Sequence, residues 1–317
     1  MTAAPPGVTG SRTATGGEGS APAAGVDTAP DLPVDPGTGT GRTGRRRDGG
    51  TRGRRQHPLG RIRAPLAMRW RVALGAVGVA AILGAWVLAA ARLDGASSFL
   101  VPSPAATWDA LVEMWREGTL WGDLTASLGR IAVGYAISLA IGIVVGVLIG
   151  TFVSVESFFE PQLGFLRYIP AGALTPLLLL WLGIGESPKI VLIVVGTVFF
   201  NILMVADVVR LVPRELLHAA ATLGGGRGTT LRKVILPHSV PGIIDVARIN
   251  LAAAWLMLVV AELLAAQEGL AFRIVRAQRF LAYDTMFALL IVFGVIGLVS
   301  DLALRGLRWL VAPWARP

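Results

Sequence analysis

The stretch HAAATLGGGRGTTLRKVILPHSVPG, from His218 to Gly242, decides how this chain is read. It is polar and basic, it carries three successive glycines and it closes on two prolines, yet it lies between two long apolar runs. Glu215 to Leu223, rich in Ala and Leu, predicts a short helix. Gly224–Gly226 predicts where that helix ends, because glycine accepts the positive φ of a sharp turn. Thr229 to Leu236 predicts a second short helix that Pro237 stops, and Pro241 stands where the next long helix can begin with no donor to waste. The expected product is a compact two-helix elbow. Its small Ala219–Ala221 face is suited to seating in another protein's groove.

Outward from the elbow, the chain is dominated by apolar runs. Of its 317 residues 54% are hydrophobic and 15% charged. The apolar residues come in continuous stretches of about 20, the length that crosses a bilayer's hydrocarbon core. Six spans are predicted, over 70–91, 131–153, 162–183, 189–211, 243–265 and 286–311, in an all-α integral membrane protein. Residues 1–67 are expected to form a disordered, Arg-rich tail and 68–317 the membrane domain. The tail is Gly-, Pro-, Ala- and Thr-rich and too poor in large apolar residues to offset its ordering entropy. It lacks the short basic start and early apolar core of a secretory signal.

The net charge of +9 divides unevenly, since residues 1–71 hold 12 Arg against 5 acids, leaving 17 Lys/Arg against 15 acids elsewhere. A basic run placed just before a span reads as a cytoplasmic anchor beside anionic lipid headgroups. Nucleic acid is not expected as a partner, because the run has no aromatic interleaving and no binding module. Six crossings from a cytoplasmic tail return the C-terminus to the same side. The elbow, with Arg214, Arg227, Arg232 and Lys233 against Glu215, is then cytoplasmic, and the acidic 93–129 segment is external. The segment 267–285 disagrees, being external yet carrying Arg273, Arg276 and Arg279 at three-residue spacing. That basic face suits anionic solutes or an acidic rim on a partner, or it is a solvated interfacial helix. Between the first two spans, Trp108, Leu111, Val112 and Trp115 fall at helical spacing and predict a helix lying along the outer interface.

Several residue patterns stand out inside the spans. Gly142, Gly146 and Gly150, with Gly134 and Ser138 on the same four-residue interval, let helices approach closely in lipid, whether within the chain or in a second copy. Pro170 and Pro176 interrupt the third span, as a pathway lining or as a plain kink. Arg130, Glu262 and Asp301 are ionisable groups at or within span ends, so they are candidates for pathway or gating roles, against the alternative of snorkelling to water. Asp301 can pair with Arg305 one turn on.

The elbow also resembles the EAA-type cytoplasmic loop of bacterial ABC importer permeases. That pattern has an acid, two alanines, a glycine four residues after the second alanine and an I-x-L-P close. Here it reads Ala219, Ala220, Gly224 and VILP at Val234–Pro237, with His218 at the acid's place. Within that family the chain is similar to the nitrate/sulfonate/taurine-type branch through LVPSPAATWDAL (100–111), SLGRIAVGY (127–135), IPAGALTPLLLLWLGIGE (169–186), AAAWLMLVVAELLAA (252–266) and GVIGLVSDLALR (294–305). The family's double proline is Pro170–Ala171 here, and its GLG is GLA at 269–271.

The resemblance implies a type I ABC importer permease fold in a bacterial inner membrane, with both termini cytoplasmic. It also implies a coupling loop of Glu215, His218, Ala219, Ala220, Gly224, Val234 and Pro237 that contacts a cytoplasmic ABC ATPase dimer. A periplasmic or lipid-anchored solute-binding protein and a second permease copy complete the assembly, and the solute is a small anion of the nitrate, sulfonate or taurine kind. Histidine in the acid's place makes that contact weaker or pH-sensitive, or is a tolerated surface change.

No catalytic machinery of the chain's own is expected. There is no GxxxxGK[ST], and the only lysines, Lys189 and Lys233, follow Pro188 and Arg232. Three scattered histidines and no cysteine provide no metal or cofactor site. The chief alternative is an ion-gradient-driven secondary transporter, which calls for intramembrane acid–base relays or an inverted repeat, and neither is visible. A membrane enzyme calls for clustered histidines or carboxylates. A scaffold worked by its basic tail calls for function to be lost with residues 1–60.

Overall fold

The computed structural model describes residues 67–92 and 100–315, which are helical almost throughout. The tail expectation, and Asp94 in the acidic segment, lie outside the described residues. The helices are α1 (Met68–Arg92), α2 (Pro104–Arg116), α3 (Thr119–Thr151), α4 (Val153–Leu166), α5 (Thr175–Leu182), α6 (Glu186–Arg210), α7 (Arg214–Thr222), α8 (Arg227–Thr230), α9 (Leu236–Ala265), α10 (Leu270–Arg279) and α11 (Tyr283–Val311). A 3-10 turn, Ala171–Leu174, precedes α5, and a π turn, Leu231–Ile235, joins α8 to α9.

Five helical stretches are long and apolar enough to cross a bilayer, and α4 with α5 makes a sixth only as a pair bent by 79°. The third expected span is therefore not one straight helix. Its break falls at Pro170, which cannot continue a helical hydrogen-bond ladder and disfavours the helical region for the residue before it. The second expected span also starts too late. α3 begins twelve residues earlier than the hydropathy reading, at Thr119, because Asp123, Ser127 and Arg130 interrupt the apolar run and yet are buried in the protein. At about 1.5 Å per residue, α3 is roughly 50 Å long against a hydrocarbon core of about 30 Å, so its polar first turns reach beyond the apolar zone.

The centre of the bundle is the parallel pair α3 and α6 with α9 packed on both. Gly134, Ser138, Gly142, Gly146 and Gly150 lie against Ile193, Thr197, Asn201, Val205 and Val209, each partner 59 positions further along the chain. A Cβ on Gly142 would sit 2.6 Å from Asn201 Cβ, and one on Gly146 would sit 2.6 Å from the Ile202 carbonyl. Glycine at this spacing is what lets the two backbones meet. The partner is within the chain.

Midway along this contact, the Ser138 hydroxyl oxygen accepts from Thr197 Oγ1 (2.7 Å) and Asn201 Nδ2 (2.9 Å), and Asn250 Nδ2 donates to Asn201 Oδ1 (2.8 Å). One polar chain thus ties α3, α6 and α9 where lipid offers no alternative partner. Apolar packing continues in both directions. Ile131, Tyr135, Ile193, Leu251, Trp255 and Leu258 fill one half, and Val147, Val205, Val209, Val212, Ile235 and Ile243 fill the half nearer the elbow.

α2 caps itself with Ser103 Oγ, which accepts from Ala106 N–H at 3.1 Å. It turns Ala110 and Met114 onto α10 and α11, leaving Trp108 and Trp115 exposed. α1 buries no residue among those described; its contacts include Trp86, whose Nε1 donates to the Pro102 carbonyl (3.1 Å) and whose ring stacks on Phe287.

Candidate functional sites: the elbow and a buried polar knot

α6 runs into the elbow through buried Val212 and Pro213, which starts α7. Glu215 occupies the first turn of α7, where the helix dipole favours a carboxylate. The helix closes in a six-to-one turn: Gly225 N–H donates to the Ala220 carbonyl (2.8 Å) and Gly224 N–H to that of Ala221 (3.0 Å). Gly224 takes φ +77°, and a Cβ on Gly225 would lie 2.7 Å from the Ala220 oxygen, so both glycines are needed for this closure. No residue of α7 is buried. Glu215, His218, Ala219 and Gly224 are exposed, Ala220 is half-buried, and Leu223 is 87% exposed. Leu217 turns inward onto the cluster of Val209, Val212 and Ile235 and fixes the helix to the bundle.

Pro237 does not stop the second helix. The Leu236 N–H donates five residues back to the Leu231 carbonyl, and this widened π turn carries the chain past the proline into α9. Val234 is half-buried within that turn and Pro237 is exposed. The stretch from Arg227 to Leu263 is consequently one rod of 37 residues. Ion pairs brace the same end of the bundle. Arg210 meets Glu156 (2.8 Å) and Asp207 (3.0 Å), Arg248 meets Asp301 (2.7 Å), and Asp301 also pairs with Arg305 (3.3 Å).

At the opposite end, the first turns of α3, the start of α6, the end of α9 and the start of α10 converge on Arg130. Its guanidinium is 2% exposed. Nε and Nη2 bind Glu186 in a fork (2.6 and 2.9 Å), while Nη1 donates to Glu262 Oε1 (2.9 Å) and to the Glu268 carbonyl (2.8 Å). Lys189 Nζ adds a further bond to Glu186 at 2.7 Å. Glu262 is fully buried and also accepts from Ser127 Oγ (2.6 Å) and Ala271 N–H (2.9 Å). Ser127 accepts from Leu270 N–H (2.9 Å), and Asp123 accepts from Gly269 N–H (2.8 Å) and from Arg273.

Three successive backbone donors at the head of α10 are thus taken by Asp123, Ser127 and Glu262. These are the groups that a helix N-terminus leaves without internal partners. Gly269 has φ +127°, and a Cβ there would lie 2.5 Å from the Glu262 carboxylate. Buried charge is tolerable because it is balanced and multiply hydrogen-bonded.

Two expectations change in this light. Arg130 and Glu262 do not snorkel to water, since each is buried against the other. The three-arginine face also dissolves, because Arg273 is drawn back to Asp123 while Arg276 and Arg279 remain exposed. Pro170 and Pro176 lie at the α4–α5 bend, where the Pro170 carbonyl accepts from Ala173 N–H (2.9 Å) and the Gly172 carbonyl from Thr175 Oγ1 (2.8 Å). Among the described residues no cluster of His, Asp and Glu could hold a metal ion. Sequence reasoning passed over Asp123, Ser127, Glu186, Lys189 and Gly269 as site residues. The available signal was that Ser127 and Glu186 stand in stretches that carry the family resemblance, and that Gly269 is the first glycine of the GLA at 269–271.

Comparison with known proteins bears on the family and the fold. Residues 138–308 match the family described as binding-protein-dependent transport system inner membrane component. A Brucella melitensis protein named as a probable ABC transporter permease is 35% identical over 73% of this chain and 93% of its own length. The taurine transport system permease protein TauC of Escherichia coli is 34% identical over 80% of this chain and 92% of its own. In fold, the chain matches a chain of the inward-facing MetNI methionine ABC transporter with a TM-score of 0.53 at 22% identity, covering 66% of this chain and 99% of that one. The chain belongs to the binding-protein-dependent transport system inner membrane component family, and its fold is that of a type I ABC importer permease.

Proposed function

We propose that this chain is the translocating subunit of an ATP-driven importer, that a separate cytoplasmic ATPase dimer grips α7, and that the solute is small and anionic, of the sulfonate or taurine kind. One observation carries the coupling role. No residue of α7 is fully buried, yet the helix is mounted between α6 and the continuous α8–α9 rod, so force applied there reaches the helices that form the core. With no phosphate-cradling loop in the sequence, the energy arrives from the partner. The elbow end is cytoplasmic, and the Arg130 knot lies at the outer end. There Arg130 and Glu262 act in gating, by holding α3, α6 and α9 together while the outer side is closed. A second copy of the chain completes the pathway, and a solute-binding protein delivers to the outer face.

The test is a pull-down of the tagged protein in mild detergent from its native membrane, with mass spectrometry. A P-loop ATPase at near-equal stoichiometry together with a solute-binding protein is the expected result. A lone polypeptide that still takes up solute after reconstitution without ATP would establish the ion-gradient-driven reading instead.

A further inference from the structure

α10 has two different faces. Leu270, Ala271 and Ala277 are buried, Leu270 among residues of α2 and α11, and Arg273 is held by Asp123. The other face, with the end of α9, borders a cleft of about 460 Å³ lined by Leu263, Phe272, Val275, Arg276, Arg279 and Phe280 among others. Arg276 and Arg279 lie one turn apart, both are exposed, and neither forms an ion pair among the described residues, in contrast to Arg130 and Arg273.

A second observation concerns the rim. Phe280 is 75% exposed and is followed by Leu281 at φ +58°, the only non-glycine residue with positive φ among those described. The chain closes there with Ala282 N–H on the Ala277 carbonyl (2.9 Å), a helix ending that ordinarily uses glycine. A leucine in that conformation is strained, and the strain persists only because the surroundings fix it. Phe280, just before it, is one of the residues that line the cleft.

We infer that this cleft is a binding subsite for an amphiphilic organic anion. The sulfonate or carboxylate head sits on the Arg276 and Arg279 guanidinia, and a short aliphatic tail lies against Leu263, Phe272 and Val275. Guanidinium groups suit such oxyanions because their donors match the oxygen spacing, and the volume falls within the range of small-molecule pockets. Describing it as the solute's point of entry rests on the importer reading above; the binding itself does not. An anionic phospholipid offers the same chemistry with two long chains, so the experiment separates the two.

The full chain, in nanodiscs of phosphatidylcholine, is titrated with 1-pentanesulfonate and with pentylammonium as the cationic control. The expected result is saturable binding of the sulfonate alone, weakened about tenfold in R276Q/R279Q and largely retained in R276K/R279K, since two exposed charge contacts together amount to roughly one decade of affinity. The thermal midpoint should not move, because both side chains are exposed. Equal affinity in the wild type and R276Q/R279Q overturns the proposal. So does absence of sulfonate binding when native mass spectrometry shows phosphatidylglycerol retained by the wild type and lost from R276Q/R279Q, which assigns the cleft to lipid. Neither arginine is in the elbow, so failure here leaves ATPase capture intact, and failure of ATPase capture leaves this binding measurement standing.

Discussion

Arg130 and Glu262 show how much one contact can carry and how little of it can be read locally. They are 132 positions apart, and each alone looks like a charge misplaced in an apolar run; only the fold puts the guanidinium 2.9 Å from the carboxylate. R130A strands a fully buried Glu262, so it should destabilise the purified protein by about 3–5 kcal/mol, whereas R130A/E262Q should cost less than R130A alone. Thermal unfolding of the four members of that cycle measures the coupling, and strict additivity would remove the knot from the account. G269A tests the same site through the backbone. Its methyl group would be driven onto the Glu262 carboxylate from a φ of +127°, and a loss of about 2–4 kcal/mol is expected in the same assay. The signal available in sequence was indirect. Ser127 and Arg130, Glu186, and Glu262 sit in three separate stretches of family resemblance, and nothing in spacing says that those stretches meet.

Among elements, the helices themselves were legible and their ends were not. Hydropathy located α6 and α11 to within three residues at each end, but it cut α3 short, because it reads a charge as exposure and cannot see that Arg130 has a partner. It drew one span over 162–183, joining the last residues of α4 to α5, because the 79° bend at Pro170 changes the direction of the chain and hydropathy does not register direction. Pro237 was read as a stop because an ordinary helix ends at proline; the π turn removes the clash by lengthening the preceding hydrogen bond. The four-residue glycine interval was plain from sequence, but its partner was not. The constant 59-residue offset between α3 and α6 supplies a prediction. G146A should destabilise by about 2–4 kcal/mol, because its methyl meets the Ile202 carbonyl at 2.6 Å. G129A, with nothing within 4 Å, should be neutral or stabilising by up to about 1 kcal/mol. Thermal midpoints of the two variants side by side decide it.

At the scale of the molecule, a rigid core of α3, α6 and α9 carries a knot at one end and an elbow at the other, and each is built into the same three helices. The 37-residue rod, which begins at Arg227 just after the glycine turn that closes α7, runs from the elbow to the end that holds the knot. In the function proposed above, the bundle is the bistable element, which the ATPase and the solute bias from opposite sides. The basic tail stands outside this scheme. A chain lacking residues 1–60 should retain ATP-dependent uptake in proteoliposomes at near the full rate, and loss of uptake with an intact ATPase complex would move the working part to the tail. The elbow as the coupling point is the central claim, and the absence of cysteine from the sequence makes it directly testable. Single cysteines at Ala219 on α7 and, as a control, at Trp108 on α2 are treated with a short bifunctional thiol reagent in membranes containing the assembled complex, and the products are identified by mass spectrometry. The account predicts a cross-link from position 219 to a P-loop ATPase that depends on nucleotide state, and none from position 108. No ATPase adduct at 219, or equal adducts from both positions, would contradict it.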